Sequence, residues 1–426
     1  MQKFIKALKF ISFYSFVGLI VGLFVGLYQL GMGFVVKGAT YLIKSNLLIL
    51  NIVFFVLVIL LSFVNYFIIK FDKDIDGNGI VQLTKRLKNK EKVYKKAGIM
   101  TIILNSYVSS FCLMPLGAEA PSLVLASRIG DLGLQIFKIE DREETNQVCL
   151  GAGFGCAFLS PLAGFTYMLE HDKTINLKQL TKGILVIGFS FLITFFINKH
   201  HLLNFITSNF DYNCEYIFIL LVIGVVSLLF AYLFNILSYY VKCFFNKHKN
   251  NFIVKHRGFL LFIISGFLAF FFINFMGNGL NSIAFIYGIS SLLIVSLLFI
   301  FRFFITLFYG LGKVSGGLVV PTLVLGGLIG YFVCLLFSQL GLFDLTFISV
   351  YVVVAMCLFF SLIFNMPYTG AMLFVSTILY SNCNILSIIP FTFFVFIIFV
   401  LFNKANKAIK NKGYYSYLLT INDINC

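Results

Sequence analysis

Charge is what this sequence has least of. Of 426 residues, 11% are Asp, Glu, Lys or Arg, against roughly 25% in a soluble domain, and that deficit excludes a water-soluble enzyme. Disorder is excluded as well, because disordered chains are poor in aromatics and this one carries 55 phenylalanines. The nine cysteines include no C-x-x-C pair and no regular spacing, so neither a zinc site nor a disulfide framework is expected. Cys112, Cys156 and Cys357 lie inside apolar runs and read as small buried hydrophobes. An H-E-x-x-H motif and paired acidic motifs are missing too, which weighs against an integral-membrane enzyme built around Leu169-Glu170-His171-Asp172.

What is present in abundance is apolar surface: 60% of the chain is hydrophobic and mean hydropathy is +0.99. Apolar runs fall at 10–36, 47–70, 97–115, 119–137, 147–169, 183–198, 216–241, 258–277, 282–311, 316–341, 346–380 and 387–402. Runs near 20 residues match the thickness of a bilayer, so the chain reads as an all-α polytopic membrane protein. The first run is too long for the core of a signal peptide and has no obvious cleavage site, so it is expected to remain as a first span.

Acidic residues number 16 against 32 Lys and Arg, a net charge of +16. The basic residues crowd into short segments, Lys85–Lys96, Lys242–Arg257 and Lys404–Lys412, with Lys3, Lys6 and Lys9 at the start. Lysine and arginine concentrated beside apolar helices mark the cytoplasmic side; nucleic acid is not the expected partner. Both termini are therefore expected in the cytoplasm and Asp211–Glu215 outside. Residues 1–412 are expected to form one transmembrane domain with halves of roughly 1–200 and 201–412. Residues 413–426 read as a short cytoplasmic tail rather than a soluble regulatory domain.

An internal repeat supports the two halves. Gly117–Gly130 (GAEAPSLVLASRIG) and Gly317–Gly330 (GLVVPTLVLGGLIG) share seven of fourteen positions. A second pair follows in the same order, Ser160–Phe165 (SPLAGF) and Met366–Ala371 (MPYTGA). Apolar segments interrupted by Gly and Pro at corresponding places point to an inverted-repeat transporter with its site at the midplane, built from helix N-termini. Gly18, Gly22 and Gly26 form a small-residue stripe for close helix packing. Gly151, Gly153 and Gly155 are read the same way, because no strand precedes them as a nucleotide loop requires.

Ionisable residues in the apolar body are few: Glu119, Arg128, Asp131, Glu170, Arg302 and Lys313, with His171 beside Glu170. Such groups are functional candidates by default, because burying charge in a membrane is costly. Glu119 lies in G-A-E-A-P-S, just ahead of a proline and a serine suited to a first helical turn. Backbone N–H groups at a helix start attract anions, so the carboxylate would be a tethered competitor for a bound anion, released by protonation. Asp76-Gly77-Asn78-Gly79-Ile80 and Gly316-Gly317-Leu318-Val319-Val320-Pro321 offer further glycine-flanked backbone donors.

In their order these motifs resemble the CLC family of chloride channels and chloride/proton exchangers. The family's GSGIP looks like Gly77–Val81, its GREGP like Gly117–Pro121, and its GGIFAP like Gly316–Pro321. Its NAPLAG and APLTG look like Leu159–Gly164 and Asn365–Gly370. The resemblance spans about Gly77 to Pro390. It implies an inverted repeat of broken and tilted helices, and a homodimer with one anion pathway per subunit. Carried over by motif, Glu119 is the gating glutamate, Leu318 and Val319 offer N–H groups to the central anion, and Ala118 and Ala120 frame an outer site. Asn78 and Gly79 stand at the central serine motif; the asparagine amide can still donate to an anion. Tyr380 is the nearest match to the family's pore tyrosine. An exchanger's cytoplasmic glutamate falls at His171, with Glu170 one residue before it, and an imidazole can carry protons near neutral pH.

Ala118, Val81 and Val319 depart from the family's arginine, proline and phenylalanine, which opens the question of anion preference. The resemblance thus implies chloride or a similar small anion exchanged for protons, with an uncoupled chloride channel or a fluoride/proton exchanger as alternatives. No cofactor is implied. The expected location is the bilayer of a bacterial inner membrane.

Overall fold

The computed structural model describes residues 2–45, 47–72, 75, 79–89, 98–171, 176–199, 203, 217–381 and 385–411. Asp76, Gly77 and Asn78, the acidic segment Asp211–Glu215 and the tail 413–426 lie outside the described residues.

The first half supplies eight helices: α1 (Gln2–Lys44), α2 (Leu48–Phe71), α3 (Ile80–Lys88), α4 (Gly98–Phe111), α5 (Glu119–Phe137), α6 (Arg142–Phe158), α7 (Pro161–His171) and α8 (Leu177–Ile197). The second half supplies α9 (Ile217–Lys247), α10 (Phe252–Lys255), α11 (Arg257–Phe272), α12 (Leu280–Ile286), α13 (Leu292–Gly310), α14 (Val319–Gln339), α15 (Ile348–Phe364), α16 (Pro367–Tyr380) and α17 (Ile385–Asn411). Nine of the described helices, α1, α2, α8, α9, α11, α13, α14, α15 and α17, are long and apolar enough to cross a membrane.

Three apolar runs are broken where hydropathy alone predicts continuity. The run 147–169 divides into α6 and α7, 346–380 into α15 and α16, and 282–311 into α12 and α13. The first two breaks share one backbone device. Leu159 (φ 49°, ψ 40°) and Asn365 (φ 59°, ψ 43°) take the left-handed conformation, which ends an α-helix. The next N–H then reaches back five residues, from Ser160 to the Gly155 carbonyl (2.8 Å) and from Met366 to the Ser361 carbonyl (3.0 Å). Pro161 and Pro367 open the following helices, where a missing N–H costs nothing.

In a bilayer, helices gain little from hiding apolar surface, so close backbone approach must hold them together. The glycine stripe of α1 does this against α8. A methyl at Gly18 would stand 2.7 Å from the Val186 carbonyl oxygen, and one at Gly22 2.3 Å from that of Ser190. Two side-chain bonds continue the seam: Thr194 donates to the Gly22 carbonyl and Asn198 to that of Gly26, each at 3.0 Å. Gly151 packs on the Gly164 carbonyl and Gly153 on the backbone of Leu123, so this glycine cluster also serves helix packing. At the centre lies α15, whose residues Ile348 through Ile363 are all buried; a helix apolar on every side belongs in such an interior.

Most ionisable residues of the apolar body are engaged in holding the fold. Asp131 accepts from Gln135 (2.8 Å) and Arg142 (2.7 Å). Arg302 donates to the carbonyls of Phe275 (2.5 Å), Gly277 (3.0 Å) and Asn278 (2.7 Å). Cys112, Cys149, Cys156, Cys334 and Cys357 are buried free thiols. Cys243, at the end of α9, is disulfide-bonded, which the scattered cysteine spacing does not predict.

Candidate functional site

The two copies of the repeat meet at their helix N-termini. Gly117 and Gly317 form an isolated antiparallel bridge, and the residues after them, Ala118 and Leu318, cap α5 and α14 with nearly the same backbone angles (φ −82°, ψ −7° and φ −94°, ψ −3°). Neither helix has a side-chain cap. Each begins its ladder at the same place, Ser122 N–H to the Ala118 carbonyl (3.0 Å) and Thr322 N–H to the Leu318 carbonyl (2.9 Å). The N–H groups ahead of that first bond have no intrahelical acceptor, and the two helices together present a concentration of partial positive charge.

Glu119 is the first residue of α5 and is 3% exposed. The backbone N–H groups of Ala118, Glu119 itself and Val320 face its carboxylate, while Oε2 is buried without a hydrogen-bond partner. The side chain therefore bridges the halves, anchored on one helix start and turned toward the other. Ala120, Leu318 and Val319 are buried around it and Ala118 is partly exposed. On the α14 side the N–H that faces the carboxylate is that of Val320, the residue after Leu318 and Val319, the donors the resemblance implies for a central anion. The repeat counterpart of Val320 is Ala120, so the register of the repeat carried that signal.

One further residue is not singled out by the sequence. Tyr28 on α1 is 2% exposed and lies 2.5 Å from the Ser106 hydroxyl on α4. Its ring stacks on Tyr107 at 5.6 Å, and it is within electrostatic range of Glu119. A lone tyrosine on a glycine-rich helix carries no sequence signal of that kind.

Gly79 caps α3 in the left-handed conformation (φ 72°) and is buried; α3 rests on α5 and α6. Asn78 lies outside the described residues, so its side chain is not placed against Val319. Tyr380 is the last residue of α16 and is partly buried; α16 packs on α7, α15 and α17.

Glu170 and His171 separate sharply. Glu170 receives the N–H groups of Tyr368 (2.9 Å) and Thr369 (2.8 Å) and the Thr369 hydroxyl (2.6 Å). A first-half carboxylate thereby caps the N-terminus of α16 in the second half. At the other end of the same antiparallel helix pair, the Ser160 and Ser376 hydroxyls are hydrogen-bonded. His171 is partly buried, with its ring 5.9 Å from that of Tyr167.

A model of the voltage gated chloride channel family matches residues 60–396. The chain belongs to that family. It is similar to the uncharacterized protein MJ0305 of Methanocaldococcus jannaschii, 26% identical over 226 residues, 52% of this chain and 53% of that one. It is also similar to the H(+)/Cl(−) exchange transporter ClcA of Salmonella arizonae, 24% identical over 166 residues, 37% and 35% of the two chains. The chain thus spans about half the length of the first relative and about a third of the second. Among solved structures, a slow cyanobacterial Cl−/H+ antiporter superposes with a TM-score of 0.79 over 94% of this chain and 99% of that one, at 20% identity. A CLC-type fluoride/proton antiporter superposes at 0.76 over 97% and 98%, at 14% identity. At such identities the likeness establishes the CLC fold, the inverted repeat of broken helices just described.

Proposed function

We propose that this protein carries chloride or a similar small anion across a membrane in exchange for protons, with no enzymatic step. The observation that carries the reading is the Glu119 carboxylate, lodged where the N-termini of α5 and α14 converge and left with one oxygen unpartnered. An ionised carboxylate there holds backbone donors through charge-assisted hydrogen bonds. A proton on it removes the charge, weakens those bonds and frees the donors for a diffusible anion. Anion and proton then exclude and admit one another at a single place, which is the chemistry exchange requires. Asn78 and Gly79 would approach the anion from α3, with the Leu318–Val320 backbone opposite and Tyr380 at the pore. His171 would receive protons on the cytoplasmic side, where an imidazole can both accept and donate near neutral pH.

The remainder of the reading places the protein in a bacterial inner membrane with both termini cytoplasmic, as the basic segments favour, and pairs two copies with one pathway each. Chloride and fluoride are the anions named for the two structural neighbours, and both belong in the first assay. Purified protein in liposomes under an anion gradient, with anion and pH recorded together, tests the reading. Anion efflux coupled to proton entry is the expected result. Anion efflux without proton movement would replace exchange by a channel, and neither flux with any halide would remove the proposal.

A further inference from the structure

Arg128 lies in the interior of α5, nine residues beyond Glu119, and is 2% exposed; its partner Asp72 is 5% exposed. Asp72 is where the chain leaves α2, and Gly98, the first residue of α4, is where it returns after the excursion that contains Asn78, Gly79 and α3. One guanidinium nitrogen, Arg128 Nη1, donates to both ends: to Asp72 Oδ2 at 3.2 Å and to the Gly98 carbonyl. The Thr101 hydroxyl closes the cluster, 2.8 Å from the same Asp72 oxygen and 3.1 Å from the Gly98 carbonyl. Position 98 must be glycine for this approach, since a methyl there would stand 2.8 Å from Nη1 and 3.2 Å from Cζ.

A helix of nine residues such as α3 is not stable by itself, so its placement has to come from tertiary anchors. A buried ion pair adds little net stability but fixes geometry strongly, because its alternatives leave a charge unpaired. We infer that Arg128 and Asp72 are positioning residues for anion binding: the pair pins both ends of the α3 excursion to the helix that starts with Glu119, and so sets affinity and selectivity at the site between them. The inference rests on the proposed function. Neither residue has to touch the anion; the pair acts through the distance between two helix starts, where sub-ångström displacement weakens a bound ligand.

The test uses the full chain in liposomes and reads the half-saturating chloride concentration, the chloride-to-nitrate flux ratio, the maximal rate and the melting temperature. Removing one partner alone risks misfolding, so the principal variant is the double substitution Arg128→Met with Asp72→Leu, which removes both charges of the pair together. It should melt near the wild type, raise the half-saturating concentration about tenfold, and flatten the chloride-to-nitrate ratio, with a smaller change in maximal rate. Gly98→Ala, which keeps the charges but displaces the guanidinium, should move affinity and selectivity in the same direction. Wild-type affinity and selectivity in a folded double variant would overturn the inference; should that variant not fold, the same result in Gly98→Ala would do so. Absence of any anion flux from the wild-type protein would instead overturn the proposed function, and this inference with it.

Discussion

Gly117 and Gly317, equivalent positions 200 residues apart (317 − 117), exchange two backbone hydrogen bonds: 2.8 Å from the Gly117 N–H to the Gly317 carbonyl, and 2.7 Å in return. This link sets the two helix N-termini beside one another, and the second glycine leaves no room for a side chain. A methyl at Gly317 would stand 2.9 Å from the Ala120 nitrogen and 3.0 Å from the Ala120 Cβ. Because one neighbour is backbone, the helix starts themselves must separate. Gly317→Ala should abolish anion flux in liposomes while the protein still extracts and purifies as the wild type does. Unchanged flux would show that the bridge does not define the site.

At Gly117 the obstacle differs. A methyl there would fall 1.8 Å from Glu119 Oε2, the end of a movable side chain. Gly117→Ala should therefore displace the carboxylate from its donors and raise anion flux at alkaline pH, where on the proposed function the ionised group would hold the wild type closed. Measuring flux from pH 5 to 9 checks this; a wild-type profile would mean that the carboxylate has no gating position to lose.

Neutralising Glu119 goes further. On the proposed function, Glu119→Gln and Glu119→Ala would remove the proton carrier and the anion's competitor at one stroke. Proton movement should vanish, anion flux should persist, and the pH dependence of that flux should flatten. Proton pumping against an anion gradient at wild-type stoichiometry would show that Glu119 is not the gate.

Glu170 and His171 are adjacent in sequence but differ in their surroundings, so their substitutions should differ in kind. Glu170→Ala leaves the N–H and hydroxyl of buried Thr369 without their acceptor, a loss of about 1–3 kcal/mol for each polar group left buried and unpaired, while the exposed Tyr368 N–H turns to water. The expected result is a lower melting temperature, with Glu170→Gln milder because one amide oxygen still accepts. His171→Ala should uncouple proton movement from anion flux. Uncoupling in a stable Glu170→Gln protein, with His171→Ala still coupled, would move the relay to the carboxylate.

The α1–α8 seam supplies a prediction outside the site. Gly22→Ala places a methyl 2.3 Å from the Ser190 carbonyl oxygen, so two helix backbones must part. Overpacking of this kind costs about 1–3 kcal/mol, visible as a lower melting temperature in detergent. Gly188→Ala is the control, because nothing lies within 4 Å of a methyl there.

Properties carried by neighbouring residues were determined by the sequence alone. Hydropathy marked the membrane spans, the two GxxxP-type repeats marked the halves, and a lone carboxylate between glycine and proline marked Glu119, since each signal lies within a dozen residues. The spacing of Gly18, Gly22 and Gly26 likewise announced a packing face, though not α8 as its partner. Pairings across long separations were decided only by the tertiary structure. Nothing local distinguishes Glu170 from His171, yet the first caps a helix that starts almost 200 residues later and the second does not. Arg128 stood out as a charge in an apolar helix, but its partners Asp72 and Gly98 are brought to it from outside α5. The helix ends at Leu159 and Asn365 escaped hydropathy because a left-handed turn changes the chain's direction without changing its polarity. Local sequence sets what a segment can bury and where it can break; which groups then satisfy one another depends on a chain path that brings distant backbone donors and side chains within hydrogen-bond reach.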